Sequence, residues 1–210
     1  MRAYNSKDSR NNQLFLRNEF IKSGEYQFPL IKNQEIDLNS VSLISYSNIK
    51  KKENETNKDK GVHFFVDDYR FEGIYNNPER SLEKLKQYRF VLTPDFSIYS
   101  EMDKWRMIEN IGKNRWIGAY WQKEGLNVIP TISWGTPSTY SFCFEGVEKG
   151  AIVAISTLGC KKAKKNFLMG YHEMKKRIKP KAIICFDRPF EEIEDEVIFI
   201  DYSFSRKETK

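Results

Sequence analysis

The sequence predicts an α/β protein with a mostly parallel sheet of about seven strands and flanking helices, arranged as an open or incomplete barrel-like sheet. Three apolar runs lie between Phe90 and Gly159, and segments long enough for a helix separate them: FVLTPDFS, NVIPTISWG and AIVAISTLG. The segment VHFFVDD is almost continuously apolar, as expected for a strand covered on both faces. A small closed α/β barrel is the alternative, although such barrels usually need about 250 residues and this chain has 210.

The two ends of the chain differ in composition from the part between them. Residues 1–23 are mostly polar, which predicts a flexible arm with at most one short helical turn near Leu14. Residues 24–204 are expected to form a single α/β domain, followed by a polar tail at 205–210. Because the first residues carry no apolar segment typical of a secretory signal, we expect a cytoplasmic protein.

The first half of the domain is expected to contain strands and one helix. The charged segment at 48–61 separates the first two strands and is expected to be a solvated, mobile loop. Pro78 suits the start of a helix, because the N–H that proline lacks has no partner at that position. The predicted elements are strands at residues 41–47, 62–68 and 90–95 and a helix at 78–88.

The second half continues the alternation of strands and helices. Pro130 warns of an interrupted strand, because proline cannot donate to a sheet ladder, and Gly112 is expected to bend or split the longest helix. The link at 188–196 is shorter than a parallel crossover normally needs, so an antiparallel strand is expected at one end of the sheet. The predicted elements are strands at 127–133, 151–157, 182–187 and 197–203, helices at 101–124 and 166–178, and a short helix or turn at 138–147.

Composition narrows the possible sites and partners. The chain has three cysteines without a CxxC pair and only two histidines, His63 and His172, which argues against a disulfide framework and a zinc site. No apolar run reaches the length of a membrane span, so no membrane partner is expected. The net charge of +6 and the pI of about 9.0 favour nucleic acid or a phosphorylated ligand as partner.

Polar side chains follow the strands at the edge where parallel α/β proteins place their functional sites. The candidates are Asp67, Asp68 and Arg70 after the second predicted strand, Asp95 after the third, Ser133 and Trp134 after the fourth, Ser156 at the end of the fifth, and Asp187 and Arg188 after the sixth. Four lysines after the fifth strand are expected to form a basic, substrate-binding rim at the same edge: Lys161, Lys162, Lys164 and Lys165.

One chemistry that fits these residues is metal-assisted. Carboxylate oxygens are the ligands that Mg²⁺ and Mn²⁺ prefer, which makes Asp67, Asp95 and Asp187 the candidate metal ligands. Arg70 or Arg188 would then bind a phosphate.

The other chemistry needs no metal. Asp67 or Asp95, with Asp68 nearby, could act as general acid or base on a sugar or nucleoside, and Trp134 would stack on the ligand. Strand-end carboxylates also commonly cap the next helix, and Asp95 fits that structural role. His63 opens a strand, and we expect it to be packed or exposed rather than catalytic.

The sequence contains no GxGxxG, P-loop, GxSxG or HExxH motif. The segments VHFFVDDYRFEGIYNNPE, VLTPDFSIY, RWIGAYWQ, VIPTISWG, FCFEGVEKG and AIVAISTLG resemble an uncharacterised family of domains of unknown function, encoded largely on bacterial phages, plasmids and integrative conjugative elements. The resemblance covers residues 24–201. It implies a mobile-element setting, and it supplies neither a reaction nor catalytic residues.

Three hypotheses for the function follow, and the sequence leaves open whether the protein is an enzyme. The first is a metal-dependent enzyme acting on nucleic acid or a nucleotide at the carboxyl edge of the strands. The second is a non-catalytic module of a phage or plasmid that binds DNA or a host or phage protein. The third is a nucleoside or carbohydrate hydrolase.

Overall fold

Parallel strands in two sheets form the centre of the computed structural model, which describes residues 6–202. A short antiparallel pair, β1 (Lys22–Ser23) and β2 (Phe28–Pro29), precedes them. The first parallel sheet contains β3 (Leu43–Ser45), β4 (Gly61–His63), β5 (Phe90–Leu92) and β6 (Val128–Ile129), in that order. The second contains β7 (Ile152–Ser156), β8 (Ala182–Phe186) and β9 (Ile198–Ile200). The predicted tail at 205–210 lies outside the described residues.

The expectation of a single sheet of about seven strands is therefore wrong. One isolated parallel bridge, between Thr131 and Ala154, links the two sheets, and the Ala154 N–H donates to the Pro130 carbonyl over 2.9 Å. Regular pairing of β6 with β5 ends at Ile129. The next residue, Pro130, has no backbone N–H to donate to the sheet. Hydroxyl groups continue the contact: the Thr131 N–H donates to Thr93 Oγ1 over 2.8 Å, and Thr131 Oγ1 donates to the Thr93 carbonyl over 2.7 Å.

The helices lie mainly where the sequence predicts them. Their bounds are α1 (Ser6–Arg10), α2 (Gln13–Leu16), α3 (Glu55–Lys58), α4 (Gly73–Asn76), α5 (Glu79–Leu85), α6 (Lys104–Lys123), α7 (Tyr140–Cys143) and α8 (Lys164–Ile178). The expected bend at Gly112 is absent, because α6 continues through this glycine as one helix. At Gly118 the same helix comes so close to the segment after β2 that a Cβ atom there would lie 2.5 Å from Ile31.

The last crossover is parallel, and within residues 6–202 neither parallel sheet contains the expected antiparallel strand. The segment between β8 and β9 contains no helix, and it packs instead across α8. The ring of Phe190 contacts Phe167 edge-on at 5.3 Å, and Asp195 accepts hydrogen bonds from Tyr171 and Lys175. Contacts with α8 thus replace the helix that normally covers such a crossover.

Alternate residues of the strands enter different apolar cores. On β7, Ile152 and Ala154 face a core that also takes residues from β3, β5, β6, β8 and β9, while Val153 and Ile155 pack beneath α8. Residues of both sheets therefore pack in one apolar core. No strand pairing joins β9 to β3 in the described part of the chain, so the closed-barrel alternative is not found.

Two segments predicted to be mobile make specific contacts with the body. In the predicted arm, the Arg17 guanidinium lies 3.8 Å from the ring centroids of both Tyr75 and Trp116. In the charged loop at 48–61, the buried Glu53 carboxylate accepts a hydrogen bond from the Tyr88 hydroxyl over 2.8 Å. Both segments therefore have anchors that the residue composition alone did not indicate.

Candidate functional site

A cavity of about 530 Å³ lies at the carboxyl edge of the parallel strands. Residues that follow β3, β4, β5, β6 and β7 all contribute to its wall, which is the arrangement expected for parallel α/β proteins. Six of the residues predicted from the sequence line it: Asp67, Arg70, Asp95, Ser133, Trp134 and Ser156.

The other predicted site residues lie outside this wall. Asp68 accepts hydrogen bonds from the Ser97 backbone N–H over 3.1 Å and from Ser97 Oγ over 2.8 Å, so it holds the loop after β5. Asp187 adopts a left-handed backbone conformation with φ of 69°. The Arg188 carbonyl accepts a hydrogen bond from Thr157 Oγ1.

The predicted lysine rim is only partly available for a ligand. Lys164 forms a salt bridge with Glu192 at 2.6 Å. Lys161, Lys162 and Lys165 are exposed, and the first two directly follow a residue of the cavity wall, Cys160. These lysines thus lie beside the cavity rather than in its wall.

Asp95 is the most unusual group in the cavity. One of its carboxylate oxygens, Oδ1, is buried and has no hydrogen-bond partner among the described residues. Burial, followed by the negative charge of Asp68, raises the pKa of Asp95 to about 7, although a hydrogen bond from Ser133 opposes the shift. A carboxyl group with a pKa near neutrality can both accept and donate a proton at physiological pH, which general acid–base catalysis requires.

The alternative that Asp95 caps a helix is not supported. The next helix, α6, begins at Lys104, and Asp103 occupies its N-cap position. Asp95 is therefore too far along the chain to bond the free N–H groups of the first turn.

His63 also lines the cavity, and it is packed, as one of the two predicted possibilities has it. The residue is 2 % exposed, and its Nδ1 atom accepts a hydrogen bond from the Phe65 N–H over 3.2 Å. Burial lowers the pKa of His63 to about 3, so the ring is neutral and the proton is on Nε2. That Nε2 has no partner within residues 6–202. The position of His63 in the sequence, a lone histidine at the start of an apolar run, did not indicate that its Nε2–H would be without a partner.

Trp134 is fixed in the wall by packing against α8. Its Nε1–H donates to the Phe167 carbonyl over 3.2 Å, and the two rings lie 5.0 Å apart. A Cβ atom at Gly170 would lie 2.1 Å from the indole, so the glycine permits this close contact. The indole is therefore a rigid part of the wall, and stacking on a ligand stays a prediction.

Cys160 lies in the wall but is poorly suited as a nucleophile. Burial, together with the negative charge of Asp95, raises the pKa of this thiol to about 11. Because the thiolate is the reactive form, the sulfur is almost entirely unreactive near neutral pH.

Two asparagines on α6, which were not among the predicted site residues, hold the segment that carries Asp95. The side-chain amide of Asn110 donates to the Ser97 carbonyl over 2.8 Å, and that of Asn114 donates to the Pro94 carbonyl over 2.8 Å. The two asparagines are one helical turn apart and share a face of α6. The spacing was visible in the sequence, but their partners were not.

The predicted metal site has no geometric support. Within residues 6–202, no three side chains of His, Cys, Asp or Glu come together in a way that could hold a metal ion. Asp67 and Asp95 line the cavity, whereas Asp187 does not. Binding of Mg²⁺ or Mn²⁺ stays a prediction.

Comparison with known proteins places the chain in a family. The model of a family described as a domain of unknown function, DUF4417, matches residues 20–203. The chain belongs to this family. The prediction of an uncharacterised family of domains of unknown function is confirmed, and so is its occurrence in phages, because two relatives of the chain are phage proteins.

Two such relatives come from mycobacteriophages. The chain is 38% identical over 176 residues to the Gene 1 protein of Mycobacterium phage L5, covering 82% of this chain and 76% of that protein. It is 35% identical over 178 residues to the Gene 1 protein of Mycobacterium phage D29, covering 83% of this chain and 65% of that protein. No solved structure matches the chain. No helix in the described residues is long and apolar enough to cross a membrane.

Proposed function

We propose that the protein is an enzyme that transfers a proton to or from a nucleotide or nucleic acid bound at the carboxyl edge of the strands, with Asp95 as general acid or base. The observation that carries the proposal is the Asp95 carboxyl group, which has an unpartnered buried oxygen and a pKa of about 7 in the wall of a cavity. A structural aspartate normally has its oxygens bonded, since an unsatisfied buried acceptor costs about 1–3 kcal/mol.

The neighbouring groups support binding of a polar ligand. His63 supplies a neutral N–H donor, and hydroxyl groups surround the same cavity at Ser45, Ser97 and Ser133. Arg70 adds a positive charge to the wall. A neutral donor beside a carboxyl group that titrates near pH 7 can hold a ligand oxygen while the proton moves.

The charge of the protein favours a phosphate-bearing substrate over a neutral one. The chain has 35 lysines and arginines against 29 aspartates and glutamates. Lys161 and Lys162 follow the cavity wall directly, where they could contact phosphates outside the cavity.

The test is a panel of nucleosides, nucleotides and short single-stranded oligonucleotides, followed by mass spectrometry for any new product. We expect turnover to fall by about 10²–10⁴-fold in Asp95→Asn, the range that general acid–base groups contribute. Asp103→Asn is the matched control, because Asp103 is exposed and its side chain bonds no backbone N–H of α6. Equal turnover in Asp95→Asn and the control would refute the proposal.

The metal-assisted form of the reaction has its own test. If Asp67 and Asp95 hold a divalent ion, Mg²⁺ or Mn²⁺ raises the Tm of the protein, since any ligand that binds only the folded state stabilises it. Asp67→Asn should remove the increase. If neither ion changes the Tm, the metal-assisted form is contradicted and the proposal keeps Asp95 as an acid or base without a metal.

The alternative of a non-catalytic nucleic-acid module makes a different prediction. Binding of an oligonucleotide would then survive Asp95→Asn and disappear when Lys161, Lys162 and Lys165 are changed to glutamate, because the exposed lysines alone would hold the phosphates. Loss of product formation in Asp95→Asn with binding retained favours the enzyme.

A further inference from the structure

A second, smaller cavity of about 350 Å³ lies next to the main cavity, and Arg70 belongs to the walls of both. Two more cations, Arg80 and Lys84, line this side pocket, and no aspartate or glutamate is among its lining residues. The side pocket is thus a concave surface of one charge sign that continues from the proposed active site.

The two cations on α5 are placed where they destabilise an isolated helix. Arg80 and Lys84 are four residues apart and share one face of the helix, where like charges repel each other. Neither has a salt bridge within the described residues, although Glu79 and Glu83 belong to the same helix. Glu83 instead lies 4.0 Å from Lys86, which is outside the pocket.

Arg70 is similarly free to bind a ligand. Its only ion pair in the described part of the chain is with Asp67, at 3.9 Å, a loose contact between two side chains that are 45% and 74% exposed. Exposed pairs of this kind contribute little free energy, so exchanging Asp67 for a ligand phosphate costs little. The Arg70 guanidinium lies 5.2 Å from the ring of Tyr69, an exposed aromatic side chain that also lines the side pocket.

We propose that the side pocket binds a phosphate group of the substrate whose reacting part occupies the main cavity. Arginine binds phosphate through two parallel hydrogen bonds and lysine adds a point charge, so Arg70, Arg80 and Lys84 suit a phosphate dianion or diester. The phosphate could belong to a mononucleotide or to the backbone of a polynucleotide. The inference rests on the proposed function, because it assigns one part of the same substrate to a second pocket.

The experiment compares two double variants with the same net charge. Arg80→Gln with Lys84→Gln removes the two pocket cations, and Lys50→Gln with Lys86→Gln removes two cations that do not line either cavity. The probes are a fluorescein-labelled single-stranded oligonucleotide, a nucleoside monophosphate, and the same nucleoside without phosphate.

We expect the pocket variant to bind the oligonucleotide on the order of tenfold more weakly than the control variant. The slope of log affinity against log salt should fall by about 0.7 in magnitude, since each phosphate contact to a single strand contributes about that much. Weaker binding of the nucleoside monophosphate as well, with the nucleoside unaffected, assigns the pocket to a mononucleotide phosphate. An effect on the oligonucleotide alone assigns it to the backbone of a polynucleotide.

Equal affinity and equal salt slope in the two double variants overturn the inference. So does an unsubstituted protein that binds none of the probes. The Asp95→Asn variant distinguishes failure of the phosphate site from failure of the proposed function. It should bind the oligonucleotide with the same salt dependence as the unsubstituted protein, because it keeps the cations of the side pocket. If the pocket variant loses binding while Asp95→Asn keeps full turnover, the phosphate site stands and the catalytic role of Asp95 is wrong.

Discussion

Asn114 of α6 donates a hydrogen bond to the carbonyl oxygen of Pro94 over 2.8 Å, directly before Asp95. The Asn114 side chain is buried, and its own oxygen accepts a hydrogen bond from Arg115 Nη1. The guanidinium of Arg115 also donates to the Cys143 carbonyl over 2.7 Å and to the Glu145 carbonyl over 2.8 Å. This buried network connects the longest helix to the backbone that presents the proposed catalytic carboxyl group.

Asn114→Ala should destabilise the protein by about 2–3 kcal/mol, because it leaves the Pro94 carbonyl and part of the Arg115 guanidinium without partners in a buried site. Urea unfolding monitored by circular dichroism measures the change. Lys104→Ala, at the exposed start of the same helix, is the control and should stay within about 0.5 kcal/mol of the unsubstituted protein. A loss in Asn114→Ala no larger than in the control contradicts a role for the network.

Asp95 should make stability depend on pH in a specific direction. Its pKa is raised to about 7 in the folded state, whereas an unfolded aspartate titrates near 3.9. Between these values the folded state binds the extra proton, so the contribution of Asp95 is favourable at acid pH and is lost as the pH rises through 7.

Asp95→Asn should therefore stabilise the protein at pH 8 relative to the unsubstituted chain, by up to about 4 kcal/mol, and by a smaller amount at pH 5, where part of the contribution is already lost. Asp68→Asn should lower the pKa of Asp95, because the Asp68 charge is one cause of the shift. Urea unfolding at the two pH values and the carbon chemical shift of the Asp95 carboxyl group measure both effects. Titration of that carboxyl near pH 4 would contradict the assignment.

His63 should make stability depend on pH in the opposite direction to Asp95, and over a lower pH range. The pKa of His63 is lowered to about 3 by burial, so between pH 3 and 6.5 the unfolded state binds the extra proton and stability decreases as the pH falls. His63→Phe keeps an aromatic ring against Phe186, whose centroid lies 4.6 Å away, and removes both ring nitrogens.

In His63→Phe we expect the stability loss between pH 6.5 and 4 to become smaller, and the affinity for a ligand of the main cavity to fall by about tenfold through loss of one hydrogen bond in a buried site. His172→Phe is the control, because this histidine is exposed on α8. Nitrogen chemical shifts should show His63 neutral at pH 5. A charged His63 at that pH contradicts the proposed donor on Nε2.

The sequence indicated which segments lead to the cavity because a local signal marks them, although the strands end earlier than predicted: β4 ends at His63 and β6 at Ile129. Each apolar run ends on a polar residue, and Asp67, Asp95 and Ser133 do lie around one cavity. The division into two sheets depended on a pairing between distant residues, Thr131 and Ala154, which no local pattern specifies. Pro130 did indicate where the regular pairing of β6 ends, because the cause is local: proline has no N–H to donate.

The residues that complete the site were not predictable in the same way. His63 and Asn114 are ordinary buried positions on a strand and a helix, and their importance comes from partners that are present or absent in three dimensions. Asp187 was selected by the same rule as Asp95, yet it adopts a left-handed backbone conformation after β8 and does not line the cavity. A strand end thus identifies the edge of the sheet, but the loop conformation decides which side chains reach the cavity.

The packing of Trp134 against Gly170 gives a prediction that reverses a general rule. Replacing glycine by alanine inside a helix normally stabilises it by about 1 kcal/mol. At Gly170 in α8, however, the new Cβ would lie 2.1 Å from the Trp134 ring, which a close-packed wall can accommodate only by moving the indole. Gly170→Ala should therefore destabilise the protein by about 1–3 kcal/mol and shift the tryptophan fluorescence.

Gly112→Ala is the matched control for this prediction. Its Cβ would lie 3.4 Å from Phe28, close to an ordinary contact, so the helix preference should dominate and stability should be unchanged or slightly higher. If the Gly170→Ala protein also binds a ligand of the main cavity more weakly, the orientation of Trp134 contributes to binding. Equal stability changes in the two variants would show that the wall around Trp134 is loosely packed.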